Sequence, residues 1–523
     1  MVTRRENLPE VVTKMKRGHL LIRADAGTQM GSGHIMRCLA LAQVWQGGGG
    51  DVTFLSHSES NVLPRRIIKE SFNFIPIEKP HPDPCDLKQI LTTLKQLETR
   101  NSKLETWVVL DGYHFAPDYQ EAIRRNGYRL LVIDDMAHFD DYFADILLNQ
   151  NLHAAEGMYS TGKSRPRLLL GPRYVLLRQE FLTWTGWQRE IPDMARKIMI
   201  TMGGSDPGNA TLKVIHALNL LNEPDLEVKI VAGHANPNIE CIQKELSRSP
   251  FTFDLLPSVN DIPELMAWAD VAVSAAGSTC WELSFMGLPG LLLVLSHNQQ
   301  PVAEKMHKLG AAVNLGLHHN LPYSHIAHAI KNILSDPVIR TEMARNCRNV
   351  IDGRGAARIL MCMDSNSLQF RKVGEKDCKL IWKWANEDDT RQASFSSDII
   401  PWNRHLQWFR SKLNDPNCIF YIVSNGEGIP AGQIRYDMNG DEADISLTLD
   451  RKFRNKGYGS AAILLSSQKI FGLQDIKTIH AYVKHSNNIS INAFSKAGFN
   501  ATGTKTIKNH EAIDFVLSKE TTI

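Results

Sequence analysis

The chain lacks cysteines at metal-ligand or redox-motif spacing. Its eight cysteines, Cys38, Cys85, Cys241, Cys280, Cys347, Cys362, Cys378 and Cys418, stand far apart and form no C-x-x-C pair. That absence argues against a zinc site or a disulfide framework and fits a reducing cytosol. Long apolar runs are missing too: the longest, Leu288 to Leu295, is too short to span a bilayer and contains Pro289. The N-terminus carries charges but no apolar stretch of the signal-peptide kind, so a cytoplasmic location without membrane insertion is expected. Charge of one sign is scarce, with a formal net charge of +3 over 523 residues. The basic clusters Arg4–Arg5 and Lys14–Arg17 are short and lack interleaved aromatics. They read as a solvated tail and give no basis for a nucleic-acid partner. There is no internal repeat or low-complexity block, and the sequence leaves the oligomeric state open.

What is present is the composition of a soluble globular protein, 43% hydrophobic and 22% charged. At roughly 100 to 200 residues per domain the length predicts three or four domains. From Leu20 to about Arg178, strand-like runs (Leu20–Ile22, Val52–Leu55, Trp107–Leu110, Leu130–Ile133, Ile146–Leu148) alternate with helical ones, the pattern of a parallel sheet covered by helices. A second βα series runs through Lys197–Thr201, Val228–Val231 and Val271–Ser274 and ends near Met363. Beyond Ser367 the order changes to strand, helices, then strands at Phe420–Val423, Gly432–Arg435 and Asp444–Leu449, which is an α+β pattern. The expected divisions are a tail over 1–18, α/β domains over 19–185 and 186–364, and an α+β domain over 368–523.

The most informative stretch is Arg23 to Arg37. A short strand ends in a turn containing Gly31 and Gly33, and Ile35, Leu39 and Ala42 then recur at helical spacing. His34 therefore falls in the first turn of a helix, where amides and the helix dipole favour anions. It either acts as a base there or merely packs and caps the turn. Asp111 and Asp134 follow strands directly, at the edge where open α/β sheets bind ligands. Asp134–Asp135 reads as a strand-end cap or, less simply, a metal pair; Arg23 and Asp25 read as substrate-orienting groups or as an ion pair. In the second series, Met202–Asn209 and Ala276–Thr279 follow strands as phosphate-cradle candidates. Ser278 and Thr279 either hold a diphosphate or cap a helix over Cys280–Met286, and Glu282 either meets a ribose or is solvated. Met286–Pro289 reads as a glycine and proline helix stop.

These stretches, with Asp111–Tyr113, Leu148–Asn151, Gly171–Phe181 and His297–Gln299, resemble the UDP-sugar hydrolases of pseudaminic acid biosynthesis, which remove UDP from UDP-2,4-diacetamido-2,4,6-trideoxy-β-L-altropyranose. The resemblance covers the first 360 residues or so and extends to spore-coat polysaccharide proteins and to the GT-B fold. It implies two Rossmann-like domains in a GT-B arrangement, with a UDP-linked aminosugar as substrate. His34 becomes the base for water, Tyr113 and Asn298 lie near the sugar, and Ser278, Thr279 and Glu282 hold UDP, with Gly33 and Gly204 lending backbone. UDP is a good leaving group, so a single inverting displacement requires no metal, and none is expected.

In the last domain, Arg454-Asn-Lys-Gly-Tyr-Gly-Ser460 precedes the apolar helix Ala461–Phe471 and resembles the GNAT acetyltransferase signature, whose amides bind the pyrophosphate of acetyl-CoA. Thr478–Val483, Asn487–Ser490 and Lys496–Phe499 follow in the superfamily's order. The resemblance implies acetyl-CoA as cosubstrate, held by Arg454, Lys456, Gly457, Gly459, Ser460 and Asn487. One departure is Phe494, where many such enzymes have a tyrosine that protonates the departing thiolate. Glu442 and Asp444 are the candidates for accepting the amine proton. The aromatic segment with Trp382, Trp384, Phe395, His405 and Trp408 resembles the acceptor side of nucleotide-aminosugar acetyltransferases. The combined expectation is an enzyme that acetylates a 4-amino UDP-sugar and hydrolyses the product. Its rivals are a GT-B glycosyltransferase and a nucleotide-sugar-binding regulator.

Overall fold

The computed structural model describes residues 17–519 apart from 28–29, 101–104, 160–161, 222, 224, 234–235, 250, 257–258, 260, 365–367, 426–427 and 474. The expected tail lies outside the described residues except for Arg17 and Gly18, as do two positions of the Arg23 to Arg37 stretch. By internal contacts the chain divides into two compact units, the first closing at Ala356 and the second beginning at Ala357.

The first unit holds two parallel sheets. One contains β1 (His19–Ala24), β2 (Asp51–Ser56), β3 (Asn73–Pro76), β4 (Trp107–Asp111), β5 (Arg129–Ile133), β6 (Ile146–Asn149) and β7 (Arg167–Leu170), in the order β3-β2-β1-β4-β5-β6-β7. The other contains β8 (Lys197–Thr201), β9 (Glu227–Val231), β10 (Thr252–Leu256), β11 (Val271–Ala275), β12 (Gly290–Val294) and β13 (Val313–Leu317), in the order β10-β9-β8-β11-β12-β13. Each is Rossmann-like and doubly wound, so each reverses its strand order at one point: between β1 and β4, and between β8 and β11. Loops at those points open a crevice at the carboxyl edge. The strands are apolar without alternation because both faces are covered; Leu20, Leu21 and Ile22 are fully buried. Val175, Leu177 and Phe181 pack into the core of the second sheet although they precede residue 186, since the chain crosses over soon after β7.

The second unit has a mixed sheet of β14 (Gln369–Lys372), β15 (Cys418–Ser424), β16 (Pro430–Asn439), β17 (Glu442–Leu449), β18 (Thr478–Lys484), β19 (Asn500–Ile507) and β20 (His510–Ser518), in the order β14-β15-β16-β17-β18-β20-β19. All its pairs are antiparallel except β17 with β18, which run parallel and pair only from Glu442 with Thr478 to Asp444 with His480. Past that rung the two strands part. Among the described residues no helix is long and apolar enough to cross a membrane.

Candidate active sites

The helix α1 (Gly33–Gly47) leaves β1 through a turn in which Gly31 takes a φ of 75°, left-handed backbone that favours glycine. His34 is thereby its second residue, with its ring almost wholly buried. Its Nδ1 lies 2.6 Å from Oδ1 of Asp111, the last residue of β4, across the point of strand reversal. One helical turn on, Arg37 donates to both oxygens of Asp111 at 2.7 Å and to Asp135 at 2.9 Å. Burial alone would raise the Asp111 carboxyl, but Arg37 and His34 beside it hold it well below the usual carboxylate range. An ionised carboxylate only accepts, so Nδ1 donates to Asp111, and in the neutral imidazole Nε2 is the nitrogen with the lone pair.

Tyr113 sets its ring edge-on to His34, with centroids 5.1 Å apart, and donates its hydroxyl to Asp135 at 3.2 Å. Burial and the neighbouring Asp135 raise the phenol above its ordinary value, so it stays a donor. Asn298, in the short turn after β12, lies near enough to the Tyr113 hydroxyl to oppose that rise. Asn151 donates to Asp135 at 2.8 Å.

Other sequence alternatives resolve here. Asp134 accepts from the Ala137 amide and the Tyr159 hydroxyl, both at 2.7 Å, while Asp135 belongs to the Arg37 network, so the two are not a metal pair. No group of metal-ligating side chains occurs among the described residues. Arg23 is fully buried and paired with Asp25 and with Asp86, a structural ion cluster rather than a substrate contact.

Facing α1 are the two loops at the reversal point of the second sheet. Gly204, after β8, lies so close to Ser32 that a Cβ there would stand 2.9 Å from its Oγ. After β11, Ser278 precedes α2 (Thr279–Phe285), one residue earlier than the expected helix start. Its hydroxyl makes no capping bond among the described residues, and a Cβ built on Gly33 would lie 3.6 Å from it. Gly33, His34, Tyr113, Gly204, Ser278 and Asn298 thus line one seam, with Thr279 beginning the adjacent helix. Glu282, expected either to meet a ribose or to be solvated, accepts from Arg178 at 2.8 Å. The helix ends as expected, with Gly287 at a φ of 56°. The sequence points to Asp111 but not to its partner, nor to roles for Arg37 and Arg178. Arg37 was the findable one, three residues beyond His34 on the same helical face.

In the second unit, Gly457 takes a φ of 80° and starts α3 (Tyr458–Leu473) three residues before the expected helix. Lys456 is exposed, a Cβ added at Gly459 would meet only Leu449 and Leu447 at ordinary contact distance, and Ser460 is buried. The Arg454 side chain is engaged within the unit. Its guanidinium is paired with Glu387 and Asp389 and donates to Thr390 and to the Leu449 carbonyl. Asn487 is a helix cap, its side chain accepting from the Ser490 amide at 3.1 Å at the start of α4 (Asn488–Ala497). Phe494 is buried against Phe499 and Phe515, so an aromatic cluster occupies the position where a hydroxyl was sought. Of the aromatics expected on the acceptor side, Trp384 and His405 are core residues, their ring nitrogens bonded to Asp450 and to the Cys378 carbonyl.

Residues 198–355 match the family model described as the glycosyltransferase family 28 C-terminal domain, and residues 367–500 match the acetyltransferase (GNAT) domain. An uncharacterised protein of Methanocaldococcus jannaschii is 22% identical, covering 92% of this chain and 97% of its own. The spore coat polysaccharide biosynthesis protein SpsG of Bacillus subtilis is 25% identical over 65% of this chain and 96% of its own. The UDP-2,4-diacetamido-2,4,6-trideoxy-β-L-altropyranose hydrolase of Campylobacter jejuni is 25% identical over 56% of this chain and 98% of its own. A GT-B-like region with sugar-nucleotide enzymes among its homologues is therefore joined in one chain to a GNAT acetyltransferase domain.

Proposed function

We propose that the first unit hydrolyses a UDP-linked 2,4-diacetamido sugar of the altropyranose type to free sugar and UDP, and that the second acetylates the 4-amino precursor with acetyl-CoA. The observation that carries the first half is His34 held by Asp111, with Nε2 left to accept a proton at a seam between two Rossmann-like sheets. In this reading water is activated by Nε2 and attacks the anomeric carbon from the face opposite the diphosphate. The C–O bond to the β-phosphate breaks with inversion, and the water proton passes to His34. Backbone amides at Gly33 and the hydroxyls of Ser278 and Thr279 support the charge that grows on the phosphate. Tyr113 and Asn298 orient the sugar. Glu282, its carboxylate fixed by Arg178, accepts from the ribose hydroxyls.

For the second half, the turn at Gly457 and the start of α3 offer backbone amides to a pyrophosphate, together with Lys456 and Ser460. Arg454 supports that turn from behind. The parting of β17 and β18 exposes backbone edges to which the amide-bearing arm of acetyl-CoA can bond. Coupling the two reactions in one chain raises the local concentration of the intermediate.

Incubating purified protein with the UDP-diacetamido sugar and no acceptor tests the hydrolase: equimolar UDP and free sugar are expected, and absence of both would sink it. The match to a glycosyltransferase domain favours one second reading, transfer of the sugar to an acceptor other than water. UDP release that appears only when such an acceptor is added would establish that reading instead.

A further inference from the structure

We propose that His480, positioned by Asp514, takes the proton that the acceptor ammonium must lose before acetyl transfer; this rests on the acetyltransferase reading above. His480 occupies the last rung that β17 and β18 share, opposite Asp444, immediately before the strands part. Its Nδ1 lies 3.0 and 3.2 Å from the two oxygens of Asp514 on β20, so that nitrogen carries the proton. Its Nε2 is buried and has no hydrogen-bond partner among the described residues. A buried ring nitrogen without a partner is costly in a folded protein, and it is explained if a substrate group supplies the partner.

The surroundings suit a proton on its way to solvent. Glu442 on β17 reaches to 3.9 Å from Nε2 and is itself exposed. Asp444 on the same strand has its carboxyl raised by burial, a shift that Lys505 and His480 oppose. Tyr482 on β18 stacks beside the ring, and Lys505 on β19 donates to its hydroxyl at 2.9 Å. Asp437 on β16 pairs in register with Asp444 and completes the charged face. Glu442 and Asp444, the acceptors of the amine proton expected from the sequence, lie on the neighbouring strand and serve here as the exit for that proton, while the buried Phe494 and the capping Asn487 offer no base.

The step balances without a further reactant. Nε2 takes one proton from the ammonium, and the neutral amine attacks the thioester carbonyl. The N–C bond forms, the C–S bond breaks, and the thiolate leaves with the second amine proton. His480 returns its proton to solvent past Glu442 and Asp444. The net change is amide, free thiol and one released proton.

The test is a pH profile of acetyl transfer, read as thiol release from acetyl-CoA with the 4-amino UDP-sugar, in the full chain and in His480→Gln, His480→Ala and Asp514→Asn. At about pH 6.5, His480→Gln is expected to turn over about 100-fold more slowly, with the deficit shrinking as rising pH deprotonates the amine unaided. Acetyl-CoA binding by calorimetry should be unchanged, and added imidazole should partly restore His480→Ala. A pH profile equal to wild type in His480→Gln overturns the proposal and leaves the acetyltransferase reading standing. So does a deficit that is independent of pH and unmoved by imidazole. Absence of turnover in the wild-type chain overturns both, and that outcome is recognised without any variant.

Discussion

His34 and Asp111 meet at 2.6 Å although 77 residues separate them, because β1 and β4 are neighbours at the reversal point of their sheet. The carboxylate is shared with Arg37, so the same group fixes the imidazole and anchors the first turns of α1. The chemistry of the seam and the stability of its wall therefore draw on one residue.

Replacing His34 by alanine removes the proposed proton acceptor of the first unit. UDP release should fall by at least about 100-fold while acetylation proceeds at the wild-type rate. Parallel assays of UDP and of free thiol on one preparation check this, and an equal loss of both would contradict independent sites.

Asp111 should leave its mark on acid stability. Its carboxyl sits below the ordinary range in the fold, so its contribution is complete above about pH 4 and is lost as pH falls from there through the folded value. In Asp111→Asn, the unfolding free energy from urea titrations followed by circular dichroism should be lower at neutral pH, by about 3 kcal/mol, because buried Arg37 loses a partner. It should also fall less steeply below about pH 4, although Asp86 and Asp135, shifted the same way, keep some slope in the variant.

The two glycines of the seam should fail differently. A Cβ on Gly33 meets only Ser278 Oγ, at 3.6 Å, among the described residues, so Gly33→Ala should fold normally and raise the KM for the UDP-sugar by filling diphosphate space. Gly204→Ala drives a methyl against Ser32 and should cost about 1–3 kcal/mol of stability. Melting curves beside KM values separate the two, and a Gly33→Ala enzyme with wild-type KM would remove the diphosphate from that place.

Gly457→Glu puts a negative charge where the pyrophosphate is proposed and forces a side chain onto left-handed backbone, at a local cost of about 1–2 kcal/mol. Acetyl-CoA turnover should disappear while UDP release continues. Retained turnover would move the anion cradle away from this turn.

Much of this architecture was readable because parallel strands buried on both faces must be apolar throughout, as Leu20–Ile22 and Trp107–Leu110 are. Strands with mixed composition, such as Asn73–Pro76, gave no such signal, and Gly290–Val294 was noticed only as an apolar run. The glycine turns were legible because a positive φ restricts residue choice. Partners distant in sequence were not: nothing near Glu282 announces Arg178, 104 positions away. Nothing in the motif around Arg454 announces its tertiary partners either, since Glu387 and Asp389 lie on a different element. Phe494, an odd substitution in a motif, is ordinary core packing once its neighbours are known.

The tie from Arg454 to Glu387 and Asp389 is only partly shielded from water, with the Asp389 side chain 62% exposed. Counter-ions reach such contacts, and fields between exposed charges fade beyond about 8 Å at physiological ionic strength. The His34, Asp111 and Arg37 cluster is closed to them by burial. Dissolved salt should therefore loosen the tie beside the Gly457 turn while leaving the buried cluster alone, so on the proposed functions the ratio of acetyl transfer to UDP release should shift with ionic strength.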